Sequence, residues 1–183
     1  MKRKRGGEKN AFDFIVLFGE RGALPHGKPS NRRLKNGDII IFDFGTVVNG
    51  YHSDCTRIVI FGKISKEAEK VIKIVEEAQK IGIDGIREGV GVVELDKKVR
   101  EYIKENGYGE FFNHSLGHGV GLEIHEKPYL SPRGEGKLKT GMVVTVEPGI
   151  YLPGKFGVRI EDLIVVERDS AKDLTRIDKI FKI

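Results

Sequence analysis

Apolar and polar positions along the chain recur with two different periods, and each period marks a kind of element. Behind Ser65, whose hydroxyl suits an N-cap, Ala68, Val71, Ile72, Val75 and Ala78 follow helical spacing. A second helix is predicted from about Val92 to Asn106, with Leu95, Val99, Tyr102 and Ile103 inward and Gly107 as its stop. Strand-like runs are Phe12–Phe18, Asp38–Val47, Arg57–Phe61, Met142–Val146, Ile150–Leu152, Val158–Val166 and Ile177–Phe181. No low-complexity linker divides them. The pattern predicts an α+β chain with much antiparallel sheet, and its 183 residues suit one domain, 1–183.

The chain also repeats itself. LKNGDIIIFDFGTVVNG (34–50) aligns with LKTGMVVTVEPGIYLPG (138–154) at a constant offset of 104. Gly37 meets Gly141, Asp43 meets Glu147, Gly45 meets Gly149 and Gly50 meets Gly154. Upstream, HGKP (26–29) meets HEKP (125–128) at an offset of 99, and downstream Asp54 meets Glu161 at 107. Two copies of one unit about a pseudo-two-fold axis are therefore expected, each presenting a His and two acids. Two helices (about 65–106) precede the second copy, and their counterparts would fall before Met1. The expectation is a missing N-terminal helical layer, through a truncated or misassigned start or a layer supplied by a partner chain.

Composition narrows the class. Aliphatic, aromatic and Cys residues are 39% of the chain and 24 Gly add to them, a globular balance that excludes a disordered tail. The longest apolar run, Phe14 to Phe18, is far short of the ~20 residues of a membrane helix, so no membrane partner is expected. The net charge of +5 includes Lys2, Arg3, Lys4 and Arg5, which read as part of a solvated, flexible basic start at 1–10. With no Trp and no basic–aromatic interleaving, no nucleic-acid partner is expected. A single cysteine, Cys55, suits a reducing cytoplasm and reads as a small core residue. No P-loop and no Gly-x-Ser-x-Gly elbow is present.

The chemistry rests on acids in apolar strands. If Asn49-Gly50 is a hairpin turn, Val48 pairs with Tyr51 and Asp43 with Thr56. Asp54 then lies diagonal to Asp43 on one face, ~7–8 Å away between backbones. Glu147 and Glu161 repeat the arrangement in the second half. Four converging carboxylates repel one another unless cations neutralise them, and two divalent ions would cancel the charge. His118, in GHGVG (117–121), is the candidate imidazole ligand. Oxygen-rich ligation with one His suits Mn, Co, Fe or Zn. His26 and His125, paired by the repeat, suit polarising a carbonyl or passing a proton, and His114 is a candidate pocket residue.

At this point FDFGTVVNGYHSDCTR (42–57), SLGHGVGLEIHEKP (115–128), GMVVTVEPGIY (141–151) and GVRIEDLIVV (157–166) resemble the pita-bread metallopeptidases. That family includes methionyl aminopeptidases, Xaa-Pro aminopeptidases and Xaa-Pro dipeptidases (prolidases), and the resemblance runs from about Phe12 to the C-terminus. It implies the pita-bread fold and a site in which Asp43 chelates one metal, His118 and Glu147 ligate the other, and Asp54 and Glu161 bridge both. It further implies attack on the scissile carbonyl by a water activated between the ions, with Glu147 as proton acceptor and His125 and His26 holding the substrate. Arg-Ile-Glu-Asp (159–162) and His-Glu-Lys-Pro (125–128) look like the Xaa-Pro branch, where Arg159 would orient substrate or ligands. The expected activity is a two-metal exopeptidase, with Mn or Co as the leading metals and short Xaa-Pro peptides as substrates. A methionyl aminopeptidase and a non-catalytic peptide-binding module are the alternatives, and a homo-oligomer is left open.

Overall fold

The structure, a computed structural model, describes residues 6–25, 27–28 and 30–183. In the first half the chain forms β1 (Lys9–Asn10), β2 (Ile15–Phe18), β3 (Ile39–Phe44), β4 (Thr46–Val48), β5 (Tyr51–His52) and β6 (Cys55–Ile60). Two helices follow, α1 (Lys66–Asp84) and α2 (Val92–Glu105). The second half holds β7 (Gly117–Gly119), β8 (Glu126–Leu130), β9 (Val143–Val146), β10 (Gly149–Leu152), β11 (Phe156–Arg159), β12 (Asp162–Val166), β13 (Ala171–Asp173) and β14 (Ile180–Lys182). Of the basic start, residues 1–5 lie outside the described residues, and Lys9–Asn10 pair with β4.

The helices begin and end for local reasons. The Ser65 hydroxyl accepts from the Ala68 N–H at 3.1 Å, and Gly107, at φ 89°, closes the turn after α2 in a conformation glycine adopts without strain. Both helices bury one face. Val71, Val75, Val99 and Ile103 are fully buried in a core cluster that also takes Ile39 and Ile58 from the first half and Val144, Val146 and Ile164 from the second. One continuous core therefore joins the two copies.

The sheets follow the repeat. Of the four sheets among the described residues, the two largest are four-stranded, β14-β6-β3-β2, and five-stranded, β13-β12-β9-β7-β8; β1-β4-β5 and β10-β11 form the smaller two. The Asn49-Gly50 turn holds the predicted register: Val48 opposes Tyr51, and Asp43 opposes Thr56. In the second half Val146 opposes Asp162, and one step beyond that ladder Glu147 faces Glu161. Glu161 thus takes the sheet place of Thr56 rather than that of Asp54. The isolated antiparallel bridge Thr56↔Glu161 joins these equivalent positions, as a pseudo-two-fold axis requires.

The halves differ in what covers them. Val144 and Val146 are fully buried, with Gly82 of α1 against Val146, where a Cβ would come within 2.8 Å of Cγ1. Their counterparts Ile40 and Phe42 are half-buried.

Two predicted strands are each broken in two. Asp38–Val47 splits at Gly45, where a Cβ would lie 2.0 Å from the Ser53 carbonyl oxygen, so only glycine allows the chain to fold back there. Val158–Val166 splits at Ile160 and Glu161, where the chain leaves the β10–β11 hairpin and crosses to Thr56. Strands β7 and β8 carry Gly, His, Lys and Pro and show no alternating pattern, so periodicity did not reveal them.

Candidate metal centre

Five polar side chains meet where strand ends converge. Asp43 comes from β3, Asp54 from the turn before β6, His118 from β7, Glu147 from the residue after β9, and Glu161 from the link between β11 and β12. All five line one cavity of about 490 Å³, together with His114, His125 and Arg159. Eight of the nine residues singled out from sequence are thus brought together. The ninth, His26, lies outside the described residues.

Ligand atoms of Asp54, His118 and Glu161 all fall within 4.8 Å of one another, and the three residues are buried. His118 Nε2 is 3.2 Å from Glu147 Oε1 and 3.8 Å from Asp54 Oδ2. Its other ring nitrogen, Nδ1, lies 3.0 Å from the Gly119 carbonyl and donates to it, which turns Nε2 toward the acids. Asp43 is engaged by Arg159, whose Nη2 donates to Oδ2 at 2.5 Å. Arg159 Nη1 donates to the Tyr151 hydroxyl at 2.9 Å, which leaves the Tyr151 proton for His114 Nε2, also at 2.9 Å. His114 Nδ1 in turn donates to the Ser115 carbonyl at 2.8 Å, so its tautomer is set at both ends. His125 is exposed at the cavity, its ring 4.3 Å from that of His118 and edge-on to it.

The acids disagree in charge. Burial, and then the carboxylates of Asp43 and Glu147, push Asp54 up to about 8. Burial, and then the carboxylates of Asp54, Glu147 and Asp43, push Glu161 well above the usual carboxylate range. Burial opposes ionisation of Glu147 too, but the hydrogen bond from His118 and the charges of His118 and Arg159 bring it down to about 2. His118 is raised, burial acting against the hydrogen bond and charge of Glu147 that outweigh it. Without a cation the cluster therefore stores protons. Glu161 Oε1 is buried with no hydrogen-bond partner among the described residues. A buried carboxylate oxygen of that kind, beside two further acids and an imidazole nitrogen, fits a divalent cation with mostly oxygen ligands.

Sequence reasoning missed the groups that brace these side chains. Thr56 donates to Glu161 Oε2 at 2.7 Å, and Thr145 to Glu147 Oε1 at 3.2 Å. Arg57 donates to the Glu161 carbonyl at 2.6 Å and to Asp162 Oδ1 at 2.5 Å. Gln79 of α1 holds Asp162 Oδ2 and the Val146 carbonyl, both at 3.1 Å. The hairpin register already put Thr56 opposite Asp43. Nothing in the spacing marked Tyr151, Gln79 or Thr145, although Thr145 lies only two residues from Glu147. Cys55 is buried and its thiol is pushed up to about 12 by burial, so it is an inert core residue.

The sequence profile of metallopeptidase family M24 matches residues 1–168. The Xaa-Pro dipeptidase of Pyrococcus furiosus is 47% identical over 179 residues, which are 98% of this chain and 51% of that protein. Among solved structures, the X-Pro aminopeptidase of Thermotoga maritima superposes with a TM-score of 0.95 at 48% identity, over 99% of this chain and 52% of that one. The Xaa-Pro dipeptidase of Bacillus anthracis gives 0.96 at 47% identity, over 99% and 51%. These neighbours share the pita-bread fold expected from the motifs. The chain spans about half the length of the curated relatives it matches. No helix among the described residues is long and apolar enough to cross a membrane.

Proposed function

The chain belongs to metallopeptidase family M24, and on that premise we propose that residues 1–183 form one catalytic unit of a two-metal exopeptidase. Its substrates are short Xaa-Pro peptides, cleaved at the N-terminal peptide bond. The observation that carries this reading is the meeting of Asp43, Asp54, His118, Glu147 and Glu161 in one cavity, with Glu161 Oε1 left for a ligand. The likeness to Xaa-Pro dipeptidases along nearly the whole chain supports the substrate class.

Asp43, Asp54, His118, Glu147 and Glu161 would hold two divalent ions, Mn or Co. Such ions polarise a carbonyl and lower the pKa of water. Glu147, in the cavity with its Oε1 3.2 Å from His118 Nε2, would accept the proton of the attacking water. His125, exposed at the cavity edge, and His26 would bind the substrate carbonyl and steady the charge that develops on its oxygen. Arg159 holds Asp43 in place, and His114, its tautomer set by Tyr151 and Ser115, offers the substrate a fixed polar wall. The lone cysteine supports a cytoplasmic setting.

The test is hydrolysis of an Xaa-Pro dipeptide, an Xaa-Pro tripeptide and a Met-Ala peptide, with Mn or Co and again with chelator. Chelator-sensitive cleavage of a Pro substrate is expected. Cleavage of Met-Ala alone would make the protein a methionyl aminopeptidase. Peptide binding without turnover would make it a binding module.

A further inference from the structure

Both glutamates of the cluster are held by a threonine hydroxyl whose hydrogen-bonding direction is set by a third group. Thr56 and Thr145 are fully buried. A hydroxyl has one proton to give, and what approaches its lone pairs decides where that proton points. At Thr56 the approaching donor is Arg159 Nε, 3.1 Å from Oγ1, so the proton goes to Glu161 Oε2 at 2.7 Å. At Thr145 the donor is the His118 backbone N–H, 3.0 Å from Oγ1, so the proton goes to Glu147 Oε1 at 3.2 Å. The same device thus occurs once per glutamate, built from different strands each time.

We infer that Thr56 and Thr145 are positioning residues that turn the Glu161 and Glu147 carboxylates to receive the metals. This rests on the metal-centre reading above. A glutamate carboxylate rotates freely about its last bond unless one oxygen is held. Thr56 occupies Oε2 of Glu161, and the backbone bridge from Glu161 N to the Thr56 carbonyl, at 3.2 Å, fixes the base of the side chain. Oε1 is thereby left toward the cavity, where it has no hydrogen-bond partner among the described residues. Thr145 ties the backbone of one ligand, His118, to the side chain of another, Glu147, so that the pair moves as one unit. Valine matches threonine in shape but lacks the hydroxyl, so at either place it fills the space while removing the bond to the glutamate and the acceptor for Arg159 or the His118 N–H.

The experiment is cobalt(II) titration of the chain as it stands, read by calorimetry and by the visible absorption of the bound ion. It compares wild type with Thr56→Val, Thr56→Ser and Thr145→Val. Thr56→Val is expected to weaken cobalt binding by about 10–100-fold, the usual effect of losing a group that orients a metal ligand. Thr56→Ser, which keeps the hydroxyl, is expected to stay near wild type. Thr145→Val is expected to weaken one equivalent of cobalt and spare the other. Wild-type binding by both valine variants would overturn the inference, and so would a serine variant as weak as the valine one. If Thr56→Val does not fold, Thr56→Ala removes the same hydroxyl without crowding and is held to the same outcomes. A wild type that takes up no cobalt would overturn the metal-centre reading itself, which separates the two failures.

Discussion

Arg159 Nη2 lies 2.5 Å from Asp43 Oδ2, and both side chains are buried, so a guanidinium from the second half neutralises a carboxylate from the first inside the shared cavity. Removing one member of a buried pair strands the other. Arg159→Gln is expected to destabilise the metal-free protein by about 3–5 kcal/mol in urea unfolding. Adding Mn should then raise the midpoint more in the variant than in wild type, because the ion replaces the lost positive charge. Equal midpoints without metal would contradict the role assigned to this pair.

The metal-free protein is expected to lose stability as the pH rises from about 4 toward 8. Asp54 is raised from 3.8 to about 8, so between those values the folded state binds a proton that the unfolded state releases. Glu161 and His118 are raised as well and act in the same direction, their contribution fading as the pH passes their folded-state values. Glu147 is lowered, so its contribution is present above 4.5 and lost only as the pH falls toward about 2. Thermal melts of chelated protein between pH 5 and 9 check this, and a melting temperature that rises across the range would refute it.

Metal uptake should expel those stored protons. Cobalt titrations in buffers of different ionisation enthalpy are expected to show net proton release at pH 7, with affinity increasing toward pH 8 as Asp54 ionises. Glu161→Gln removes one carboxylate of the proposed metal centre and is expected to lower metal occupancy sharply, measured by elemental analysis after gel filtration. Full occupancy of both sites in that variant would end its assignment to that centre.

A second buried pair tests the join between the halves. Arg57 and Asp162 are almost fully buried and 2.5 Å apart, with Lys179 Nζ 3.4 Å from Asp162 on the other side. Asp162→Leu, which strands the Arg57 charge, is expected to cost about 3–5 kcal/mol in urea unfolding. Arg57→Met is expected to cost less, because Lys179 and Gln79 still hold Asp162, and the double variant less than the sum. Additive losses would show that the two residues act independently.

Much of this molecule was legible along the chain. The Ser65 cap, the α1 and α2 faces, the Asn49-Gly50 turn and its register all rest on contacts within a few residues, which local spacing records. The repeat exposed the acids, because matching halves set Asp43 beside Glu147 without any knowledge of the fold. It did not expose the register difference that puts Glu161 in the sheet place of Thr56 rather than in that of Asp54.

By itself, then, the sequence determined the α+β class, the repeated unit and the set of groups able to hold cations, since residue type and short-range periodicity decide those. Tertiary structure alone decided that Tyr151 sets the His114 tautomer, that Gln79 reaches from α1 to Asp162, and that Thr56 grips Glu161 across 105 residues. Hydrogen bonds act over about 3 Å of space and carry no trace of their separation along the chain. Only when the two halves close on one core do their donors and acceptors come within that reach.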